Sequence, residues 1–571
     1  DLCDGMDTNC DGHLIFGEAD LDGDGWMFCA GDCDDLDASL TPDDLDGDTY
    51  STCQGDCDDA DASVNPSVAE VADGIDNDCD GTVDTDVVPC TLTVPTDHAT
   101  LQAAIDASQA GAVICAQPGT YLENLDLVGK AVTLLGVGGR ATTIIDGSSA
   151  GPVVTLAAAE GPDTVLHGFT ITNGLSTNGG GVFVEGASPT FESLRLLDNE
   201  ATDNGGGIYL FDSNASFYDV LFEGNDAGVS GAGAYADSSM GLFLDRVDFR
   251  DGTAGRSAGG MYAWASVVTI TDATFVGNLA ELGAGGGYYQ NGSSSLLLSE
   301  ATFIGNETTG TTGGGFGTEG GVVQAQDVYV LGNTAYWEGG GIGLYWADGS
   351  SLDRVVVSNN TADGVDGCGG PGLTMFGVAG ATFDHIVLSD NYNSGSSLGG
   401  GFCAWQSEEL YVTNFVISSN QVDWNGGGIW TFTSAVSFSN GLVVGNTATG
   451  GLGGGACFES STTDVNNVLF VGNHAEETGG IRLVSSGFYA NNMVAKGNTA
   501  SNVMSIAGSI TCVAGQMVLY NSAVVENEEG SGGSGIWAGS CMASLLHCDV
   551  YGNSPVDYEG FDTDPTGMYG N

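Results

Sequence analysis

Residues 426–473 read GGGIWTFTSAVSFSNGLVVGNTATGGLGGGACFESSTTDVNNVLFVGN, which is one pattern written twice. In each copy a Gly triplet, ending at Gly428 or Gly455, opens an apolar run, and a Gly-Asn pair closes it at Asn446 or Asn473. Both markers return after 27 residues. Apolar segments bounded by Gly turns favour β-strands.

The same two markers recur along most of the chain. The last Gly of the turn returns at intervals of 25 to 31 residues, with one doubled interval, at Gly181, Gly207, Gly233, Gly260, Gly287, Gly315, Gly341, Gly372, Gly401, Gly428, Gly455, Gly480 and Gly535. The Asn recurs with the same period at Asn173, Asn199, Asn225, Asn278, Asn306, Asn333, Asn360, Asn391, Asn420, Asn446, Asn473, Asn498, Asn527 and Asn553, and we expect Asp251 in the one missing place. A constant interval of this size with short β-segments predicts an all-β solenoid.

Stacked turns lie about 4.8 Å apart, so one Asn per turn predicts a hydrogen-bonded ladder. Before the repeats, an amphipathic segment at about 97–108 predicts a helix that covers the first turn. We therefore predict two domains, an acidic region at 1–88 and a solenoid at 89–571.

The first 88 residues carry repeated Asp, Gly and Cys in fixed register. Asp20-Leu-Asp-Gly-Asp24 leads to Cys29-Ala-Gly-Asp-Cys33, and the same order returns 24 residues later. Alternating carboxylates followed by Gly suit a hard cation that takes six to eight oxygen ligands, and Ca²⁺ is the first candidate. Zinc is disfavoured because the Cys residues lie among carboxylates and His is scarce.

The predicted calcium ligands are oxygen-bearing side chains spread over these segments. They are Asp7, Asn9, Asp11, Glu18, Asp20, Asp22, Asp24, Asp32, Asp34, Asp35, Asp44, Asp46, Asp48, Asp56, Asp58, Asp59, Asp76, Asp78, Asp80 and Asp84. The stretch 7–18 also matches the EF-hand loop pattern, although no amphipathic helices flank it.

Fifteen Cys residues, seven of them within the first 80 residues, fit an oxidising compartment and predict secretion to the exterior or the cell surface. We expect short-range disulfides that each close a loop presenting carboxylates: Cys3–Cys10, Cys29–Cys33 and Cys53–Cys57. Cys79 departs from the pattern, because Ala72 stands where the related segment has Cys3. Cys90 and Cys115 are expected to bridge neighbouring strands.

The formal charge of −66 arises from 75 acidic and 9 basic side chains, which excludes nucleic acid as a partner. Such an excess needs cations to offset self-repulsion; calcium and a saline habitat are the alternatives. No run of about 18 apolar residues occurs, so the sequence predicts no transmembrane segment.

Two resemblances follow from these motifs. Residues 1–86 resemble the Asp- and Cys-rich metal-binding repeats of large bacterial surface proteins and, more loosely, thrombospondin type 3 calcium repeats. The repeats resemble right-handed parallel β-helix proteins of the pectate-lyase-like group, and their motifs are similar to those of polymorphic outer-membrane adhesins. The motifs are Phe222-Glu-Gly-Asn225, Phe275-Val-Gly-Asn278, Phe303-Ile-Gly-Asn306, Phe470-Val-Gly-Asn473, Gly205-Gly-Gly-Ile208 and Gly426-Gly-Gly-Ile429. The resemblance implies a right-handed parallel β-helix.

The nine basic residues are scattered, and the sequence shows no recognisable catalytic constellation of a polysaccharide lyase or hydrolase. Asp384-His385 is half of an acid/base pair, but a lone His in a strand is more often a packed or surface residue. We therefore predict a protein that is not an enzyme.

Aromatic residues take the second place after the Gly turn in five successive repeats, at Phe183, Tyr209, Tyr235, Tyr262 and Tyr289. Related places hold Trp264, Tyr345, Trp405, Trp430, Phe432 and Trp537. If the preceding aliphatics point inward, these rings form an exposed stripe; the alternative is a stacking column that only stiffens the sheet. An exposed stripe predicts an interface.

Together these features predict an extracellular structural or adhesive surface protein, stiffened by Ca²⁺, that self-assembles into a homo-oligomer, a filament or a surface layer. The alternative is a carbohydrate-binding or polysaccharide-degrading β-helix protein. A polysaccharide or a cell-surface molecule is the candidate partner.

Overall fold

A computed structural model describes residues 20, 22–27, 31–34, 36–70, 75–81, 89–364, 368–393, 395, 398–501, 509–529, 534–554 and 556–559. The chain divides into two compact units, one of residues 1–227 and 232–248 and the other of residues 228–231 and 249–571. The predicted fold is confirmed: the chain forms a right-handed parallel β-solenoid of about 15 turns, each of about 27 residues.

The first unit contains the described part of the acidic region and the first turns of the solenoid. A 3-10 turn lies at Thr52–Gln54, an α-helix at Leu101–Ala107, within the segment where a helix is predicted, and a short helix at Gly139–Thr142. Its strands are Leu92–Val94, Val113–Ala116, Gly119–Leu122, Leu125–Asp126, Thr133–Gly136, Thr143–Asp146, Val154–Leu156, Val165–His167, Thr170–Thr172, Leu175–Asn178, Val182–Glu185, Thr190–Leu197, Glu200–Asn204, Ile208–Phe211, Ser216–Glu223, Asp226–Ala227, Ala234–Asp237 and Leu242–Arg250, the last two residues of which belong to the second unit.

In the second unit each turn has a four-residue strand after the Gly turn, a long strand, and a two-residue strand. The first set is Met261–Trp264, Tyr288–Asn291, Phe316–Glu319, Ile342–Tyr345, Leu373–Phe376, Phe402–Trp405, Ile429–Phe432, Ala456–Glu459 and Ile481–Val484. The long set is Val267–Val276, Ser295–Ile304, Val322–Leu331, Ser351–Ser358, Thr382–Asp384 with Val387–Ser389, Leu410–Ser418, Ala435–Val444, Thr462–Val471 and Ser486–Asn491 with Val494–Lys496.

The two-residue strands form a separate parallel ladder: Thr253–Ala254, Leu279–Ala280, Glu307–Thr308, Thr334–Ala335, Thr361–Ala362, Tyr392–Asn393, Gln421–Val422, Thr447–Ala448, His474–Ala475, Thr499–Ala500 and Glu528–Glu529. The last turns merge strands into Ile510–Tyr520 and Ser534–Leu546, followed by Ala523–Val525, Asp549–Tyr551 and Val556–Glu559.

The Gly triplets are required by the close stacking of turns. The first Gly of a triplet takes a left-handed conformation, as at Gly313 with φ of +70°. The second lies against the next turn, since a Cβ on Gly314 would stand 2.3 Å from the carbonyl oxygen of Gly340. A side chain at either place would strain or push apart the stacked backbones.

The predicted Asn ladder is confirmed. Asn360 is fully buried, its Nδ2 donates to Oδ1 of Asn391 at 3.0 Å, and the same amide donates to the carbonyl of Val330 at 2.9 Å. Its own Oδ1 accepts from the backbone N–H and Nδ2 of Asn333 at 2.9 and 3.0 Å. This geometry repeats through the second unit to Asn553, and in the first unit between Asn199 and Asn225.

Two members of the predicted ladder are wrong by one residue. The backbone N–H groups that donate to Oδ1 of Asn199 and Asn278 belong to Gly174 and Gly252, which therefore hold the ladder places. Asn173 and Asp251 precede them in left-handed conformations, with φ of 57° and 53°. Asn and Asp are both common in this left-handed conformation. The residue type alone therefore does not distinguish a ladder position from the position before it.

Serines form a second buried ladder, which the sequence analysis missed. The backbone N–H of Ser434 donates to Oγ of Ser461 at 3.2 Å, and the N–H of Ser461 donates to Oγ of Ser486 at 3.1 Å. The sequence does contain a signal for this ladder, because these serines also recur about once per turn.

Candidate metal centre

The two Asp-Leu-Asp-Gly-Asp segments fold into nearly the same loop. Asp44 accepts the N–H of Gly47 on Oδ1 at 2.7 Å and the N–H of Thr49 on Oδ2 at 2.9 Å. In the preceding repeat, Asp20 accepts from Gly23 and Gly25 at 2.6 and 3.1 Å. The first Asp therefore shapes the loop, and Gly in the third following place supplies the left-handed turn.

Asp46, Asp56 and Asp59 converge, with one ligand atom of each within 4.8 Å of the others. One oxygen of each carboxylate is fixed by a backbone N–H, from Asp48, Asp58 and Leu45, at 3.1, 2.8 and 2.9 Å. The other oxygen of each is buried and has no hydrogen-bond partner. Since buried oxygens normally have partners, this arrangement fits a cation in their midst.

Two further clusters have the same character, Asp44 with Asp46 and Asp48, and Asp20 with Asp22 and Asp24. Asp48 is fully buried, and one buried oxygen each of Asp22 and Asp24 lacks a hydrogen-bond partner. The loop and the following Asp-Cys-Asp-Asp segment thus act together, because Asp46 belongs to both clusters of its repeat.

Burial and the charges of neighbouring carboxylates raise the pKa values of Asp46, Asp48 and Asp56. Burial raises the pKa of Asp48 to about 6, and the negative charges of Asp46 and Asp44 add to the shift. Burial likewise raises the pKa of Asp56 to about 6, with repulsion from Asp48, Asp46 and Asp59. A bound divalent cation would reverse both effects by favouring the charged forms.

The third acidic segment includes a residue that the sequence analysis missed. Glu70 is 5% exposed and accepts the backbone N–H groups of Asn77 and Asp78 at 2.5 and 3.1 Å. Its second oxygen and one oxygen of Asp76 are buried without a hydrogen-bond partner. Glu70 stands outside the Asp repeats, so its only sequence signal is one acidic residue among small apolar ones.

The predicted ligands therefore divide into three groups. The structure brings together Asp20, Asp22 and Asp24 in one repeat and Asp44, Asp46, Asp48, Asp56 and Asp59 in the next. Asp32 is buried, Asp76 and Asp78 are partly buried, and Asp34, Asp58 and Asp80 are exposed. Asp7, Asn9, Asp11, Glu18, Asp35 and Asp84 lie outside the described residues.

Two predicted disulfides are wrong. Cys33 is bonded to Cys53 and Cys57 to Cys79, with Cα–Cα distances of 5.6 Å in both bridges. The bonds span 20 and 22 residues and so join one acidic repeat to the next instead of closing a short loop. This also explains Cys79, which needs no partner at position 72.

The predicted bond between Cys90 and Cys115 is confirmed, whereas the predicted Cys3–Cys10 bond lies outside the described residues. Cys368–Cys403 and Cys512–Cys541 are further bridges within the solenoid. Five disulfides among the described residues support an oxidising environment. Among the described residues, no helix is long and apolar enough to span a membrane.

Of the two arrangements left open for the aromatic residues of the solenoid, the five leading positions form the stacking column, while Trp264 is 42% exposed. Tyr262 and Tyr289 are each 8% exposed, and Phe183, Tyr209 and Tyr235 are partly buried. Successive rings lie over one another, with centroids 5.7 and 5.4 Å apart for Phe183–Tyr209 and Tyr209–Tyr235. The rings therefore form a stacking column, the alternative left open by the sequence.

Asp384 and His385 lie near Asp353 on the surface of the second unit, where one ligand atom of each falls within 4.8 Å of the others. Hydrogen bonds from Thr413 and Asn414 lower the pKa of Asp384. The His385 side chain is 58% exposed. Such exposure resembles a surface ion pair more than a water-excluding catalytic site.

The structure therefore defines a parallel β-helix protein in which Asp- and Cys-rich repeats with clustered carboxylates precede the solenoid. A family described as "Putative metal-binding motif" matches residues 1–14, 32–46 and 56–85, and its name refers to copper binding. A second family, described as "Right handed beta helix region", matches residues 314–500. No curated protein matches the chain.

Solved structures share the fold at low similarity. The A-module of a mannuronan C-5 epimerase from Azotobacter vinelandii is 13% identical, with a TM-score of 0.22, over 80% of this chain and 94% of that one. The Dettilon tailspike protein is 11% identical, with a TM-score of 0.25, over 66% and 62% of the two chains. The tailspike receptor-binding domain of Siphovirus 9NA is 13% identical, with a TM-score of 0.18, over 83% and 76%. Likenesses at this level carry no argument about function.

Proposed function

We propose that this chain is an extracellular structural or adhesive surface protein that binds calcium in its acidic loops, associates with copies of itself, and catalyses no reaction. The observation that carries the calcium assignment is the convergence of the buried, unpartnered oxygens of Asp46, Asp56 and Asp59. Hard oxygen ligands at this density are typical of Ca²⁺.

Calcium suits this site better than copper. Copper favours nitrogen and sulfur ligands, but residues 20–81 contain no His, and Cys33, Cys53, Cys57 and Cys79 are held in disulfides. A disulfide sulfur is not a thiolate and binds metals weakly. The ligands that these loops can provide to a metal ion are therefore the carboxylate oxygens of the clusters.

Calorimetric titration of the whole chain should show calcium binding with a dissociation constant of about 10⁻⁴ to 10⁻³ M, the range of extracellular calcium modules. Asp56→Asn should weaken binding at least about 10-fold, because it removes one of three converging charges. Asp163→Asn, which removes an exposed charge elsewhere in the same unit, serves as the control. Tight copper binding without calcium binding would refute the assignment.

Self-association is supported by a surface of the second unit that we call the aliphatic face. It consists of two rows on five successive turns: Val356, Val387, Val416, Leu442 and Leu469, beside Ser358, Ser389, Ser418, Val444 and Val471. Ser358 is buried, and the other nine residues are partly buried or exposed. Leu469 is 43% exposed. An unbroken outward row of aliphatic side chains marks an interaction surface.

The aliphatic face is the surface on which a second copy would meet the least electrostatic repulsion. Two molecules that each carry a net charge of −66 repel one another over most of their surfaces. The ten residues of the aliphatic face carry no charge, so they let two copies approach closely at low electrostatic cost. Repetition of such contacts would give a filament or a surface layer.

A carbohydrate-binding function is the second candidate, and a row of rings favours it. Tyr345, Phe376, Trp405 and Phe432 lie on four successive turns, with centroids 6.1, 5.8 and 5.6 Å apart. All four side chains are partly buried. The first pair of rings is stacked, at 22° from parallel, and the other two pairs are tilted or edge-on, at 58° and 76°. Such a row of rings could bind a neutral polysaccharide, and the chain's scarce cations disfavour an acidic one.

Analytical ultracentrifugation separates the two candidates. We expect the wild-type chain to associate in calcium, and Leu469→Glu to raise the dissociation constant about 10-fold or more by placing a charge in the aliphatic face. Leu297→Glu alters a leucine that is 49% exposed outside that face and is the matched control. A monomer at all concentrations, whose tryptophan fluorescence shifts when neutral polysaccharide is added, would refute association and support the second candidate.

A further inference from the structure

Arg140 is an unusual residue in the first unit. It is one of only nine basic side chains, yet it is 2% exposed. It lies in the short helix Gly139–Thr142 on the flank of the first solenoid turns. Burial of a guanidinium is costly unless its donors and its charge are satisfied, so its partners indicate its role.

Those partners come from the second acidic repeat as well as from the solenoid. Nε of Arg140 donates to Oγ1 of Thr49 at 2.9 Å, and Nη2 donates to the Thr49 carbonyl at 3.2 Å. The ring of Tyr50, which is fully buried, lies 3.6 Å from Cζ of Arg140. Asp219 of the solenoid completes the group. Its Oδ1 is 3.6 Å from Nη1 of Arg140, and its Oδ2 accepts a hydrogen bond from the Tyr50 hydroxyl.

A second contact joins the same two parts of the unit. The backbone N–H of Arg140 donates to Oγ of Ser67 at 3.3 Å, and Oγ of Ser193 donates to the carbonyl of Pro66 at 3.2 Å. The approach is close, because a Cβ on Gly139 would stand 2.6 Å from Oγ of Ser67. The acidic repeat is therefore docked on the flank of the solenoid by two separate segments.

Both docking segments are tied to Asp48 of the metal cluster. Oδ1 of Asp48 accepts the N–H of Tyr50 at 2.8 Å, and Oδ2 accepts Nδ2 of Asn65 at 2.6 Å. Asn65 in turn accepts the N–H and hydroxyl of Ser67 at 2.9 and 2.7 Å. The N–H of Thr49 is held by Asp44, another member of the cluster. No more than two hydrogen bonds thus separate the cluster from each docking contact.

We propose that cation binding in the second acidic repeat and docking of that repeat on the solenoid flank are one coupled equilibrium. The proposal rests on the calcium binding proposed above. Without a cation, repulsion among Asp44, Asp46 and Asp48 spreads the loop and displaces Thr49 and Tyr50 from Arg140. By linkage, docking raises the cation affinity by the same factor by which the cation favours docking.

Hydrogen exchange of the whole chain tests the coupling, together with calcium calorimetry. In wild-type protein, chelation should accelerate exchange of the Arg140 amide and of residues 49–68. Amides of the Asn ladder in the second unit should stay protected in every sample. Arg140→Met should release the repeat even in calcium and raise the calcium dissociation constant about 10-fold, a coupling of ordinary size.

Two further variants keep the test decisive. Arg195→Met removes a guanidinium that pairs with Glu223 at 2.7 Å on the same unit, and it should change neither docking nor affinity. Asp56→Asn should release the repeat with Arg140 intact. If wild-type protein binds calcium but residues 49–68 exchange equally with and without it, the coupling is refuted while the calcium site stands. If no calcium binds, the proposed function itself fails.

Discussion

Replacing Asn360 with Ala should destabilise the second unit by about 3 to 5 kcal/mol, because the change breaks a fully buried network. The Asn360 side chain makes five hydrogen bonds, to Asn333, to Asn391 and to the carbonyls of Val330 and Ser358. Its loss removes the acceptor of the backbone N–H and of one Nδ2 hydrogen of the buried Asn333, and one donor to the Val330 carbonyl. Guanidinium unfolding followed by tryptophan fluorescence measures the change.

Asn466→Ala is the matched control for that variant. Asn466 is an exposed Asn on an outward strand position, and its contact with Asn491 is 3.5 Å long. Its replacement should shift stability by no more than about 0.5 kcal/mol. Equal effects of the two substitutions would show that the buried ladder adds nothing beyond ordinary side-chain contacts.

Lowering the pH should raise the stability of the metal-free acidic repeats and lower their affinity for calcium. In the metal-free protein, the pKa values of Asp48 and Asp56 are raised to about 6, so the folded state binds protons more tightly than the unfolded chain. Metal-free stability should therefore rise as pH falls from 7 through about 6 towards the ordinary Asp range. With calcium present, protons compete for the same oxygens, so calcium affinity should fall over that interval.

Protection factors for residues 44–68 at pH 7.5, 6 and 5, with calcium and with chelator, test both directions at once. The chelated samples should gain protection as pH falls, and calorimetry should show calcium affinity decreasing in parallel. Asp56→Asn serves as the control, because it removes one of the two titrating groups and should flatten the metal-free response. Metal-free protection that decreases steadily below pH 7 would contradict the assignment.

The period and the strand direction of the solenoid could be predicted because they are local and repeated. Most turns carry a Gly triplet and an Asn. Two markers with the same period are not expected by chance, so they indicate a repeated structural unit. The exact register was harder: Asn173 and Asp251 look like ladder residues because Asn and Asp also favour the left-handed conformation that precedes the ladder.

Long-range contacts were the part that the sequence did not reveal. The sequence analysis paired Cys53 with its near neighbour Cys57, but Cys53 bonds to Cys33 and Cys57 to Cys79, 20 and 22 positions away in the neighbouring acidic segments. Arg140 and Thr49 are separated by 91 positions, and no periodic signal links them. The loops themselves were predictable from Asp spacing, whereas their docking depends on the shape of a flank formed by three turns.

The Asn ladder also bears on how such a chain changes over generations. Each rung's Asn donates its side-chain amide to the Asn of the rung after it and accepts, on its carbonyl oxygen, from the Asn of the rung before it. If unequal recombination duplicates or deletes a turn, the two turns that become neighbours can therefore form the same hydrogen bonds without any compensating substitution. The number of turns is thus a heritable quantity that can vary in whole steps, while the chemistry of each junction stays constant.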